Sequence, residues 1–216
     1  MINDSNDKDV ASQVVAREAE ILGKPPRIEP LPEDQVRAEA HASWTELRSN
    51  YAGMPVEPGP IENTPKIFFT MLRREELWRA VSNMTIALTG KAALPVRLRE
   101  LVILRTGWLC QAPFEWGEHV KKGKDAGISS AEIEQLIVGS TAAEWDDLER
   151  ALLAAVEQLH ENAMIDDATW HVLEQSLSPE ELIELPILVG QFTTVGYFQN
   201  ALRLPLGVNN DGLAAR

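Results

Sequence analysis

Glu115 and His119 stand four residues apart in CQAPFEWGEH, residues 110–119. On a helix that spacing puts both side chains on one face, within reach of each other. A carboxylate beside an imidazole stabilises the protonated ring and orients it, which suits proton transfer near neutral pH. The same spacing also describes an ordinary surface pair, contributing roughly 0.3–0.5 kcal/mol. Spacing alone leaves both readings open.

A third ionisable residue, Glu100, sits among apolar neighbours in LPVRLRELVILRTGW. A carboxylate there is either on the polar edge of a helix or buried and in need of a partner. Arg97 and Arg99 are available nearby, and Arg97 offers a simple i,i+3 pair. Glu100 and His119 lie on opposite sides of the Ala112-Pro113 step. In a tight antiparallel hairpin they would be offset by about 9 Å at ~1.5 Å per residue, so their meeting depends on how the helices cross. Cys110 is the chain's one cysteine. Beside Trp108 and Leu109 it reads as a small core residue sooner than a nucleophile. Trp116 neighbours the Glu115/His119 face and could pack in the core or line a pocket for a flat, aromatic-derived substrate. The histidines show no ligand spacing and no metal is expected.

The elements that must position these residues read as helices throughout. Residues 1–27 are polar and acidic without a period, and are expected to form a flexible arm. Val36, Ala40, Trp44, Leu47 and Tyr51 recur at helical steps, and a loop dense in glycine and proline follows to Pro65. Ile67, Phe68, Met71 and Leu72 suit a short helix, and Leu77, Val81, Met84 and Leu88 a second, ended by Gly90. Pro95 suits the first turn of the helix that carries Glu100. The Ala112-Pro113 step ends that helix, and another runs from about Phe114 to Ala126. Ser129 with Glu132, Thr141 with Glu144, and Ser178 with Glu181 are three candidate capping boxes. Pro186 should kink or divide the last helical region, residues 179–204. No strand is convincing, so the expected fold is all-α with eight or nine helices. The expected organisation is one helical domain over residues 28–207, with a C-terminal tail at 208–216.

The 216 residues carry a net charge of −13. That charge repels nucleic acid and anionic membranes, so neither is an expected partner. One cysteine rules out an internal disulfide. No signal peptide or apolar run of spanning length is visible, and a cytoplasmic location is expected.

The segment LPVRLRELVILRTGWLCQAPFEWGEHVKKGKDAGISSAEI, residues 94–133, resembles the core of the carboxymuconolactone decarboxylase family, which shares its fold with alkyl hydroperoxidase D. A weaker resemblance extends from NTPKIFFTML to FTTVGYFQNALRL. It implies an AhpD-like helical bundle that assembles as homo-oligomers, commonly trimers or hexamers. The family's redox branch carries a glutamate, a C-x-x-C pair and a histidine four residues after the second cysteine. Those positions fall on Glu100, Ala112, Glu115 and His119, so the dithiol is missing and a dithiol peroxidase is not expected. The decarboxylase branch needs no cofactor and removes a carboxylate from a lactone acid in aromatic-ring catabolism. The resemblance thus implies a cofactor-independent lyase acting on a small carboxylated or aromatic-derived molecule. His119, Glu115 and Glu100 would serve as acid/base groups, with Arg97 meeting the departing carboxylate and Trp116 lining the pocket. The alternatives are a redox protein using Cys110 alone and a non-catalytic oligomeric ligand-binding protein.

Overall fold

A computed structural model describes residues 4–36 and 66–216, with isolated positions 42, 45, 49 and 64 between them. The helix expected around Trp44 and the loop through Pro60 fall outside the described residues.

Nine α-helices, and no strand, occur among the described residues. They are α1 (Asp4–Ile21), α2 (Lys66–Met71), α3 (Glu75–Thr89), α4 (Val96–Leu109), α5 (Pro113–Asp125), α6 (Ser130–Val138), α7 (Asp147–Asn162), α8 (Asp167–Glu174) and α9 (Pro179–Leu202). None of them is long and apolar enough to cross a membrane.

Helix α4 is the hub. Every residue from Arg99 to Trp108 is buried, because α5, α6, α7 and α9 all pack around it. A helix enclosed on all sides has no polar face, and the middle of this one, residues 101–104, reads LVIL. Val102 and Ile103 face Leu152, Val156, Leu185 and Phe192 in one core. Leu101 and Leu104 join Trp108, Trp116, Ile133 and Leu153 in a second. The same enclosure forces the polar residues of α4 to find partners inside. Arg105, for example, donates to the carbonyls of Leu136 and Ile137 and pairs with Glu157 at 2.9 Å.

Several boundaries follow the local chemistry read from the sequence. Ser129 and Ser178 each accept from the backbone of a glutamate three residues on, completing two capping boxes. Thr141 and Glu144 do not form the third. Residues 140–144 are a turn, and α7 is capped instead by Asp146, whose carboxylate accepts from the Glu149 amide. A charged acceptor bonds an exposed helical N–H more strongly than a hydroxyl, which favours Asp146 as the cap. Pro186 does not divide the last helix, since α9 is one element of 24 residues. Its ring lies on the exposed side, while Leu182, Leu185, Leu188 and Val189 bury the opposite side.

The N-terminal region departs most from expectation. Where an aperiodic arm is expected through residue 27, Asp4–Ile21 is helical. Val14 and Ile21 are buried, and the Glu18 carboxylate accepts from the Leu213 amide at 2.7 Å. The C-terminal segment is therefore the partner that gives α1 a face to bury. That segment also packs on α5, where Asn210 donates to the Phe114 carbonyl and to Glu118, at 3.0 Å each.

Candidate active site

The turn between α4 and α5 sets the site. Cys110 closes α4, Gln111 takes a left-handed conformation at φ 48°, and Ala112 is extended before Pro113 opens α5. Helix α9 holds this turn in place. Gln199 Oε1 accepts from the Phe114 amide at 3.0 Å, and Asn200 Nδ2 donates to the Cys110 carbonyl at 2.9 Å. Gly196 allows the approach, because a Cβ there would stand 3.1 Å from the Cβ of Cys110.

With the turn fixed, Glu100 and His119 meet. Glu100 Oε2 lies 2.7 Å from His119 Nδ1, and Glu115 Oε1 lies 3.0 Å from His119 Nε2. All three side chains are at most 4% exposed, which removes the surface-pair reading of Glu115 and His119. A carboxylate on each nitrogen favours a ring that donates from both, the imidazolium form. Burial and the nearby Lys122 ammonium pull the His119 pKa down. The Glu100 charge and hydrogen bonds to Glu100 and Glu115 outweigh them, and the net shift is upward.

Three further residues frame the ring. Lys122 Nζ lies 3.5 Å from His119 Nε2. The Phe192 ring meets the imidazole edge-on, with centroids 5.2 Å apart. Arg99 is buried, donates to the Thr89 carbonyl at 3.0 Å and lies 3.7 Å from Glu100 Oε1. Sequence reasoning passes over Lys122 and Phe192, and takes Arg99 only as a cation available near Glu100. Lys122, three residues after His119, was within reach of the same spacing argument that found Glu115. Phe192 comes from a distant helix and leaves no local signal.

The two proposed binding residues sit elsewhere. The Arg97 guanidinium pairs with Glu149 at 2.8 Å and also with Glu132, and donates to the Gly127 carbonyl. Those partners belong to α6, α7 and the loop before α6, so Arg97 braces the outer helices and makes no pair with Glu100. Trp116 is fully buried against Trp108 and donates from Nε1 to the Ala215 carbonyl at 3.0 Å. One residue past Glu115, it turns about 100° around the helix and into the second core. Cys110 is buried beside Gly196, and desolvation raises its thiol pKa.

A search of curated proteins finds no match to the chain. Among solved structures, an alkylhydroperoxidase AhpD core, an uncharacterized peroxidase-related protein from Ralstonia eutropha, superposes with a TM-score of 0.69 at 16% identity, covering 86% of this chain and 94% of that one. A protein of unknown function from Agrobacterium tumefaciens gives 0.59 at 23% identity, covering 64% of this chain and 95% of that one. A debrominase variant in complex with 2,3,4-tribromopyrrole gives 0.68 at 14% identity, covering 85% and 92%. These likenesses show the AhpD-like helical fold. Residues 75–158, which include Glu100, Glu115 and His119, match the sequence profile of the Carboxymuconolactone decarboxylase family. The match to that family covers this central segment of the chain, and the fold around it is AhpD-like.

Proposed function

We propose that the protein is a cofactor-independent lyase that removes carbon dioxide from a small carboxylated or aromatic-derived acid. The observation that carries this reading is the buried His119 ring held between two carboxylates, Glu100 at 2.7 Å and Glu115 at 3.0 Å. In such a reaction the bond to the carboxylate carbon breaks and carbon dioxide leaves. The electron pair passes into the conjugated carbonyl system and is then protonated at carbon. Glu100 fixes Nδ1 and so aims Nε2 at Glu115. The Nε2 proton of His119 passes through Glu115 to the substrate carbon, and the ring is reprotonated from solvent after carbon dioxide has left. Enclosure among Phe192 and the α4 side chains strengthens each of these interactions by excluding water.

Redox chemistry on Cys110 alone has less support, because a buried thiol with a raised pKa is a poor source of thiolate.

The test is carbon dioxide release from a lactone acid such as 4-carboxymuconolactone. His119→Ala and Glu115→Gln should each lower the rate by about 10²–10⁴-fold, the usual contribution of a general acid/base group. Full activity in both variants removes the proton-transfer role.

A further inference from the structure

Buried hydroxyls and indoles in these helices usually have an acceptor. Thr70, Thr89 and Thr106 each donate to the carbonyl four residues back, at 3.3, 2.7 and 2.8 Å. Trp116 and Trp145 donate to the Ala215 and Gly139 carbonyls at 3.0 Å each. Helix α3 carries two donors that do not follow this rule. Trp78 and Ser82 are 3% and 7% exposed. Neither Trp78 Nε1–H nor the Ser82 hydroxyl has a hydrogen-bond partner among the described residues. Ser82 leaves unused even the carbonyl of Trp78, the acceptor its own helix offers. A buried donor without a partner gives up hydration for nothing, so two on one helix face need a reason.

Their helix runs alongside the His119 site. The Phe68 ring meets Trp78 edge-on at 5.1 Å and Phe114, the residue before Glu115, at 6.4 Å. One turn past Ser82, Thr85 Oγ1 accepts from Gln191 at 3.0 Å. Gln191 precedes Phe192, whose ring touches His119. At the end of α3 the Thr89 carbonyl accepts from Arg99, the residue before Glu100. Trp78, Ser82, Thr85 and Thr89 recur at steps of four and three, so they share the face that leads to the site.

We infer that Trp78 Nε1 and Ser82 Oγ together hold the carbonyl oxygen of a small lactone or ketone, with the rest of that molecule lying toward Glu115. Both donors are uncharged, which suits a carbonyl better than a carboxylate, whose buried charge would call for a cation. Both atoms are closed off from solvent, so entry needs a shift of side chains, as is common on binding. The inference deepens the lyase reading and rests on it for the identity of the reaction. In that reaction an electron pair moves onto a conjugated carbonyl as carbon dioxide leaves. Two donors already in place stabilise the oxygen that receives it.

γ-Butyrolactone and tetrahydrofuran share a five-membered oxygen ring and differ by one carbonyl. Each is titrated into the isotope-labelled full-length protein while NMR follows the indole N–H signals, and Trp78→Phe identifies the Trp78 signal by its loss. γ-Butyrolactone should move that signal downfield, as a new hydrogen bond does, and tetrahydrofuran should leave it in place. Ser82→Ala should weaken γ-butyrolactone binding about 10-fold, the loss of one hydrogen bond. Without ligand, Ser82→Ala should leave the urea midpoint unchanged or raise it, because the group removed has no partner. A lower midpoint would mean that an ordered water holds the hydroxyl for packing alone, and overturns the inference. A Trp78 signal indifferent to γ-butyrolactone overturns it too, as does equal affinity in wild type and Ser82→Ala. Should Trp78→Phe not fold, the Ser82→Ala comparison still decides. Binding requires no turnover. A protein that holds γ-butyrolactone through Trp78 and Ser82 but releases no carbon dioxide loses the lyase reading and keeps this one. The opposite pattern keeps the lyase and discards the two donors.

Discussion

At the scale of the residue, His119 dominates, and its raised pKa has a consequence for stability. The folded state holds the ring proton to higher pH than the unfolded chain, where the reference value is 6.5. A raised pKa therefore contributes stability that is fully present below about pH 6.5 and is lost as pH rises through the folded value. Urea unfolding of the wild type between pH 6 and 8.5 should show stability falling across that window, and His119→Gln should flatten the fall. Parallel curves for the two proteins would mean that the carboxylates do not hold the proton in place. The trio itself was only partly legible in the sequence. Glu115 and His119 share a helix and follow from spacing, whereas Glu100 needed a second helix at an unknown crossing. A rigid hairpin estimate left it about 9 Å away, because that estimate ignores both helix crossing and the reach of a glutamate side chain. Arg97 and Trp116 were misplaced for a related reason. Sequence shows which residues are near along the chain, not the direction in which a helix presents them once neighbours are packed.

At the scale of the element, close contacts decide how α5 can sit. Gly117 is the clearest case, since an added Cβ would stand 1.9 Å from Asn210 Oδ1 and 2.9 Å from the Gly212 amide nitrogen. Gly117→Ala must push the C-terminal segment aside and disturb the Asn210 hydrogen bonds. A loss of about 1–3 kcal/mol is expected in urea unfolding, the usual cost of overfilling a packed contact. An unchanged midpoint would mean that the segment yields without resistance. Helix starts were the most legible elements, because a capping box is local chemistry and two of the three candidates form. Thr141 fails where Ser129 succeeds because Asp146, five residues later, makes a better cap next to the same amphipathic stripe. Pro186 was over-read. Local rules predict a break there, yet the core contacts of Leu182, Leu185, Leu188 and Val189 keep α9 continuous.

At the scale of the whole molecule, the two ends of the described chain meet on α5. Polar composition hid this. Val10, Val14 and Ile21 give residues 4–21 only a sparse apolar stripe, and part of the surface they pack on is supplied by residues some two hundred positions away. Removing residues 209–216 should strip the Trp116 indole of its acceptor at Ala215 and uncover Leu213's side of the second core. Tryptophan emission should shift to longer wavelength, and the urea midpoint should fall. Emission and midpoint both unchanged would show that the segment rests on α5 without supporting it.

The latch also orders events in time. The hydrogen bond from the Leu213 amide to Glu18 closes a loop of 195 positions. During synthesis no part of it can form until residue 213 has left the ribosome, and loops of that length close late and slowly. Gly117 receives its neighbours, and Trp116 its acceptor, only at that moment. The helix that carries Glu115, His119 and Lys122 is thus completed only after residues 209–215 have been made, so a nascent chain holds these side chains before it holds them still.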